Sequence, residues 1–157
     1  MCGIAGFVGR GSESVLQNMI RKINYRGPDY IGTYYQDGVG LAQSRLSIVD
    51  LDSRSNQPFF SPDRRYAIVF NGEIYNYLRL KKGLEKLNKY SFHTTSDTEV
   101  LLYLYIEYGI AAFRMLEGMF ALAIYDFESR QLVAVRDRMG KKPFYYTLRD
   151  GNFVFGS

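Results

Sequence analysis

The 157-residue chain holds one cysteine, one histidine and no tryptophan. A single cysteine cannot form an internal disulfide, which fits a reducing cytoplasm. One Cys and one His also fall short of the usual tetrahedral zinc set, so no metal is expected. Long apolar runs are missing as well. Nowhere do about 18 apolar residues follow one another, so no membrane span is expected. No basic stretch precedes the apolar start of the chain, which argues against a signal peptide. Acidic charge is in slight deficit, leaving a formal net charge of +4. The basic residues gather at positions 81–89 and 136–142, and neither run carries a nucleic-acid motif. The first run reads as the solvated face of a helix, and nucleic acid is not expected as a partner.

Aromatic residues are what the chain has in plenty, 16% of the total and all of them Tyr or Phe. Many sit in alternating runs that favour strands. The length suits one domain with a full core. Residues 4–8 read as a buried strand. Gly9-Arg10-Gly11 then turns the chain. It lacks the third glycine of a dinucleotide fingerprint, because Ser14 stands there. Ser14 is instead the predicted cap of a helix, with Gln17 three residues on. Val15, Leu16, Met19, Ile20 and Ile23 are the predicted buried face of that helix. Asp37-Gly38 signals a hairpin between residues 32–36 and 39–50. Residues 66–70 read as a strand that stops at Asn71-Gly72, and residues 74–87 as a helix weakened by Gly83. Ser96 is the predicted cap of a further helix, with Glu99 three residues on and Gly109 at its end. A short helix over 111–117 and strands over 119–126, 131–137, 144–148 and 152–155 complete the order. Runs of helices and antiparallel strands predict an α+β fold rather than a doubly wound parallel sheet. The chain stops directly after a predicted strand with no polar tail, so the natural protein is expected to continue past Ser157.

Position 2 is the first place where chemistry can be read. A cysteine directly after Met becomes the N-terminal residue once Met1 is removed, and a small second residue permits that removal. Such a residue holds both a nucleophile and a base. Its thiol attacks, and its own α-amine, with a pKa of about 7.7–8.0, takes or relays the proton. A base that titrates near the working pH suits general base catalysis. No histidine partner is then needed, and the only one, His93, lies in a polar stretch that reads as a surface loop. Taken alone, Cys2 reads more readily as a buried structural cysteine.

Other motifs follow at intervals. They are Met1-Cys2-Gly3-Ile4-Ala5-Gly6-Phe7, Arg26-Gly27-Pro28-Asp29, Arg45-Leu46-Ser47-Ile48-Val49-Asp50 and Asn71-Gly72-Glu73-Ile74-Tyr75-Asn76. Then come Ser96-Asp97-Thr98-Glu99, Glu117-Gly118-Met119-Phe120-Ala121 and Arg136-Asp137-Arg138-Met139-Gly140-Lys141-Lys142-Pro143. In this order the chain resembles, over nearly its whole length, the class II glutamine amidotransferase half of the glutamine-dependent asparagine synthetases. One departure is Tyr25, which stands before Arg26 where that family often has His.

The resemblance implies a four-layer αββα sandwich of two antiparallel sheets flanked by helices, the N-terminal-nucleophile hydrolase fold. It implies that Cys2 is the nucleophile and that the Asn71 side chain and Gly72 N–H form the oxyanion hole. Arg45 would pair with the α-carboxylate of L-glutamine, and Asp97 with its α-ammonium, with Glu73 nearby. The backbone of Ile48 and Val49 would line the pocket. An arginine fork suits a carboxylate, and a glycine after Asn71 would let the backbone turn its N–H toward substrate. Read without the resemblance, Asn71-Gly72 is a plain turn, Arg45 a surface charge and Asp97 a residue that supports a helix start. The implied reaction is hydrolysis of the glutamine amide to glutamate and ammonia. The implied partner is a C-terminal synthetase domain or subunit that receives ammonia, and a homodimer is left open. No cofactor is expected in this domain, since ATP and magnesium belong to the synthetase part. Two other readings remain: the amidotransferase half of an enzyme that amidates sugar acids for polysaccharides, and a non-catalytic regulatory domain of the same fold. A self-cleaving hydrolase of another amide would have no use for the pair Arg45 and Asp97.

Overall fold

The central strands carry two apolar faces, and each face has its own partner. In the computed structural model, which describes residues 1–48 and 50–157, nine strands form two antiparallel sheets. The first sheet contains β1 (Gly3–Val8), β2 (Tyr30–Gln36), β3 (Val39–Arg45), β8 (Tyr145–Arg149) and β9 (Asn152–Gly156), in the order β2-β3-β1-β9-β8. The second contains β4 (Phe59–Phe60), β5 (Tyr66–Ile74), β6 (Gly118–Asp126) and β7 (Gln131–Arg136), in that order. Successive side chains on a strand point to opposite faces. Ile4, Val39 and Leu41 of the first sheet therefore meet Ala67, Val69, Ala121 and Ala123 of the second in one cluster.

The outer faces are covered by helices. Ala5, Phe7 and Ala42 pack on Leu16 and Ile20 of α1 (Glu13–Lys22). Burying each of those two helix side chains contributes roughly 1.5–3 kcal/mol. On the far side, Ile68, Phe70, Leu122 and Ile124 pack on α2 (Tyr77–Glu85) and α3 (Asp97–Tyr108) through Leu80, Leu84, Leu101 and Leu104. The layers run helix, sheet, sheet, helix, as the resemblance implies. The apolar cluster between the sheets ends near the N-terminus of the chain, and that end holds the site.

Several local expectations are corrected. The cap of α1 is Ser12, whose side chain accepts from Val15 N at 3.3 Å, rather than Ser14. Val15 itself is exposed. Ser96 does cap α3. Glu99 does not close a capping box there. Its buried carboxylate accepts from His93 N, Thr94 N and the Thr94 hydroxyl instead. The segment predicted as a helix over 111–117 is a 3₁₀ helix, Gly109–Met115. β3 stops at Arg45 rather than at residue 50. The last four strands are not one meander, since β6 and β7 lie in one sheet and β8 and β9 in the other.

Candidate active site

Strand alternation brings the site together. Ile4 on β1 sits opposite Gln43 on β3, and both strands point this face at the second sheet. Cys2, two residues before Ile4, continues the row on one side. Gln43 and Arg45 continue the row of Val39 and Leu41 on the other. From the second sheet, Asn71 continues the row of Ala67 and Val69 on β5. Where the apolar rows end, four polar side chains thus replace them. They border a cavity of about 490 Å³. Cys2, Arg45, Ile48, Asn71, Gly72, Glu73 and Asp97 all line it. Val49, the remaining expected site residue, lies outside the described residues.

Asn71-Gly72 is not a turn. Both residues lie inside β5, which runs on to Ile74, and Gly72 pairs with Phe120 on β6. A Cβ on Gly72 would stand 2.3 Å from the Met119 carbonyl oxygen and 2.7 Å from the Phe120 Cα. Close approach of β6 therefore demands the glycine, not a left-handed backbone. The direction of the Gly72 N–H follows from its neighbours. Phe70 N donates to the Gln57 side chain at 2.6 Å, and Ile74 N donates to Asp97 Oδ2 at 3.0 Å. Both bonds leave β5 on the edge away from β6. Alternate N–H groups on a strand share a direction. Gly72 N–H, lying between these two, points out of that same open edge. Asn71 is buried, and its Nδ2 has no hydrogen-bond partner among the described residues. The two donors thus belong to adjacent residues that line the cavity.

The nucleophile candidate is half-buried. Cys2 Sγ receives the Leu46 N–H at 3.4 Å and lies 3.6 Å from the Leu46 carbonyl. Arg26 Nε donates to the Cys2 carbonyl at 3.2 Å, so the Arg-Gly-Pro-Asp loop fixes the backbone at position 2. Arg45 is buried and reaches the loop that follows it. Its guanidinium donates to the Asp52 carbonyl at 3.1 Å, to Asn56 Oδ1 at 2.6 Å and to the Asp50 carbonyl. These acceptors are uncharged.

Asp97 opens α3 and is buried against the cavity. Burial pushes its carboxyl up to about 6, and the nearby Glu73 carboxylate pushes in the same direction. A carboxylate held this way gains most when a cation arrives beside it.

Several residues at the cavity were assigned no site role from the sequence. Gln43, Gln57 and Lys142 are buried and line it. Lys142 Nζ lies 3.1 Å from Met1 Sδ. Its loop is held by Asp137, whose carboxylate accepts from the backbone N–H of Phe120, Met139, Lys141 and Lys142. A polar residue interrupting the apolar row Val39, Leu41, Gln43 was the one mark that could have flagged Gln43. His93 is exposed on a loop away from the cavity, as expected. In the basic run of residues 81–89, Lys81 lies 4.6 Å over the Phe92 ring and Lys89 pairs with Glu107 at 3.1 Å. Among the described residues no cluster of His, Cys, Asp and Glu could hold a metal, and no helix is long and apolar enough to cross a membrane.

Comparison with known proteins gives the same picture. Residues 1–157 match the family model described as glutamine amidotransferase domain. The whole chain is 40% identical to asparagine synthetase (glutamine-hydrolyzing) 1 of Bacillus subtilis, covering 26% of that protein. It is 37% identical to asparagine synthetase (glutamine-hydrolyzing) 2 of Arabidopsis thaliana, covering 28% of it. The chain thus spans about a quarter of the length of these relatives. Among solved structures, the glutamine phosphoribosylpyrophosphate amidotransferase of B. subtilis superposes with a TM-score of 0.80. That match covers 99% of this chain and 41% of the other at 21% identity, a likeness of fold.

Proposed function

The chain belongs to the glutamine amidotransferase domain family, and from that premise we propose that Cys2 opens the side-chain amide of L-glutamine. The observation that carries this reading is the convergence of Cys2, Asn71, Gly72, Arg45 and Asp97 on one cavity. Arg45 holds the α-carboxylate and Asp97 the α-ammonium. The substrate side chain then reaches Cys2. The thiol attacks the amide carbon, and the α-amine of Cys2 takes the proton. Asn71 Nδ2 and Gly72 N–H receive the oxyanion, a task that suits fixed donors in a partly dry site. The α-amine returns its proton to the nitrogen, ammonia leaves and a glutamyl thioester remains. Water then releases glutamate.

This mechanism needs the free amine of Cys2. While Met1 is attached, that nitrogen is an amide with no useful basicity, and the Met1 side chain lines the same cavity. The active enzyme therefore begins at Cys2. Intact-mass measurement should show activity rising in step with the fraction of chains that lack Met1. Full activity in a preparation that wholly retains Met1 would remove the amine from the mechanism.

The head-group contact should also show in the pH profile. Asp97 binds the ammonium only when ionised, and its carboxyl titrates at about 6. As pH falls through that value the site neutralises, so below about 6 kcat/KM for glutamine should lose a further tenfold per pH unit on top of the loss from protonating the Cys2 α-amine. Asp97→Asn should lose this added steepness, keep the limb due to the α-amine and start from a lower plateau. An unchanged acid limb in that variant would assign the added steepness to another group.

The relatives' names suggest where the ammonia goes. We read the chain as the glutaminase part of a cytoplasmic, ATP-dependent enzyme of asparagine synthesis, with ammonia passed to a synthetase domain that binds ATP and magnesium. Aspartate is then the acceptor. Assaying the full natural protein for asparagine formation from glutamine, aspartate and ATP tests this directly.

A further inference from the structure

Gln43, which also lines the cavity, carries another unpartnered polar atom, and its polarity is opposite to that of Asn71 Nδ2. Gln43 is 1% exposed, and its Nε2 donates to the Phe70 carbonyl at 2.8 Å. A carbonyl can accept only from a donor, so this bond fixes which end of the Gln43 amide is nitrogen. The other end, Oε1, has no hydrogen-bond partner among the described residues. A buried acceptor left unmade is costly. Gln43 reaches the backbone of Phe70, the residue before Asn71, so the residues that carry the orphan acceptor and the orphan donor are neighbours in the lining of the cavity. A ligand that satisfies both must present an acceptor and a donor side by side. A primary amide does so, with its carbonyl oxygen toward Asn71 and its NH₂ toward Gln43.

We propose that Gln43 Oε1 accepts an N–H of the departing amide nitrogen, and so positions the leaving group and selects amides over esters. This rests on the glutaminase reading above. In the tetrahedral intermediate the Sγ–C bond has formed and the negative charge sits on oxygen. Holding one N–H on Gln43 turns the nitrogen lone pair toward the Cys2 α-ammonium. The proton moves to nitrogen, the C–N bond breaks, the oxygen electron pair restores the carbonyl and NH₃ leaves. Glutamate, the product, carries no N–H on its side chain. Its carboxylate would set oxygen against oxygen at Gln43, which favours release. Esters meet the same mismatch from the start.

Two variants of the Met1-free protein test this against a merely structural role of the Gln43–Phe70 bridge. The readout is kcat/KM for L-glutamine and for the γ-methyl ester of L-glutamate, since this constant reports acylation whatever limits turnover. Gln43→Met removes both donor and acceptor at similar length, and Gln43→Glu keeps an acceptor while losing the donor to Phe70. Gln43→Met should lower kcat/KM for glutamine by about tenfold, the worth of one such hydrogen bond, while leaving the ester within about twofold. Gln43→Glu should retain more of the amide preference than Gln43→Met. Equal losses on both substrates, an unchanged rate on glutamine, or the same collapse of amide preference in both variants would overturn the proposal. Wild-type protein inert toward both substrates would instead overturn the glutaminase reading, and the proposal with it.

Discussion

Replacing Cys2 by Ala should abolish glutamine hydrolysis while the protein stays folded. The chain has no second cysteine to take over the attack. The Cys2 side chain is half-buried and its polar contacts are two long sulfur interactions with the Leu46 backbone. Its removal costs the fold little, so the thermal midpoint of Cys2→Ala should stay close to that of the parent. A glutamine analogue with an electrophilic side chain should add its mass to the parent protein at Cys2 and leave the variant unlabelled. Glutamate release by Cys2→Ala at a rate near the parent's would end the thioester mechanism.

Substitution at Asn71 should strike turnover rather than binding. Asn71→Ala removes a donor aimed at charge that develops only in the transition state, and kcat should fall by roughly 100- to 1,000-fold with KM little changed. Asp97→Ala and Arg45→Ala remove head-group contacts made equally in ground and transition states, so they should mainly raise KM. Of these two, Asp97→Ala is the cleaner probe. Arg45 also ties down Asp50, Asp52 and Asn56, so its loss disturbs the loop as well as the substrate contact. Steady-state kinetics with the pattern reversed, Asn71 acting on KM and Asp97 on kcat, would reject the assigned roles.

Features encoded by neighbouring residues were legible in the sequence. Asp37-Gly38 joins β2 and β3, and Asp150-Gly151 joins β8 and β9, with positive φ at all four residues. Ser96 and Gly109 bound α3 as read. Features set by contact between distant segments were not legible. Asn71-Gly72 has the composition of a turn, yet β6 lies so close that only glycine fits, and the strand continues through it. Glu99 has the spacing of a capping box, yet the loop at 93–94 offers it three donors at once. The resemblance supplied the roles of Cys2, Asn71, Gly72, Arg45, Glu73 and Asp97, and the fold gathers these residues at one cavity. It assigned no site role to Gln43, Gln57 or Lys142. Their places depend on how two sheets meet, which no local pattern in the chain encodes.

The open edge of β5 has a consequence for how the protein keeps to itself. β4 pairs with β5 only at Ala67 and Ile68, so beyond them no strand covers this edge, and an uncovered strand edge is the kind that recruits foreign chains. An incoming strand must bond every second residue, at intervals of about 6.8 Å. Here it would find the Phe70 N–H and carbonyl engaged by Gln57 and Gln43, and the Ile74 N–H engaged by Asp97. Side chains from three separate segments therefore act as stoppers. The gap they leave is one position wide, at Gly72, wide enough for a single carbonyl and too narrow for a peptide. The same stoppers that keep the edge from aggregating define the size of molecule that can bind there.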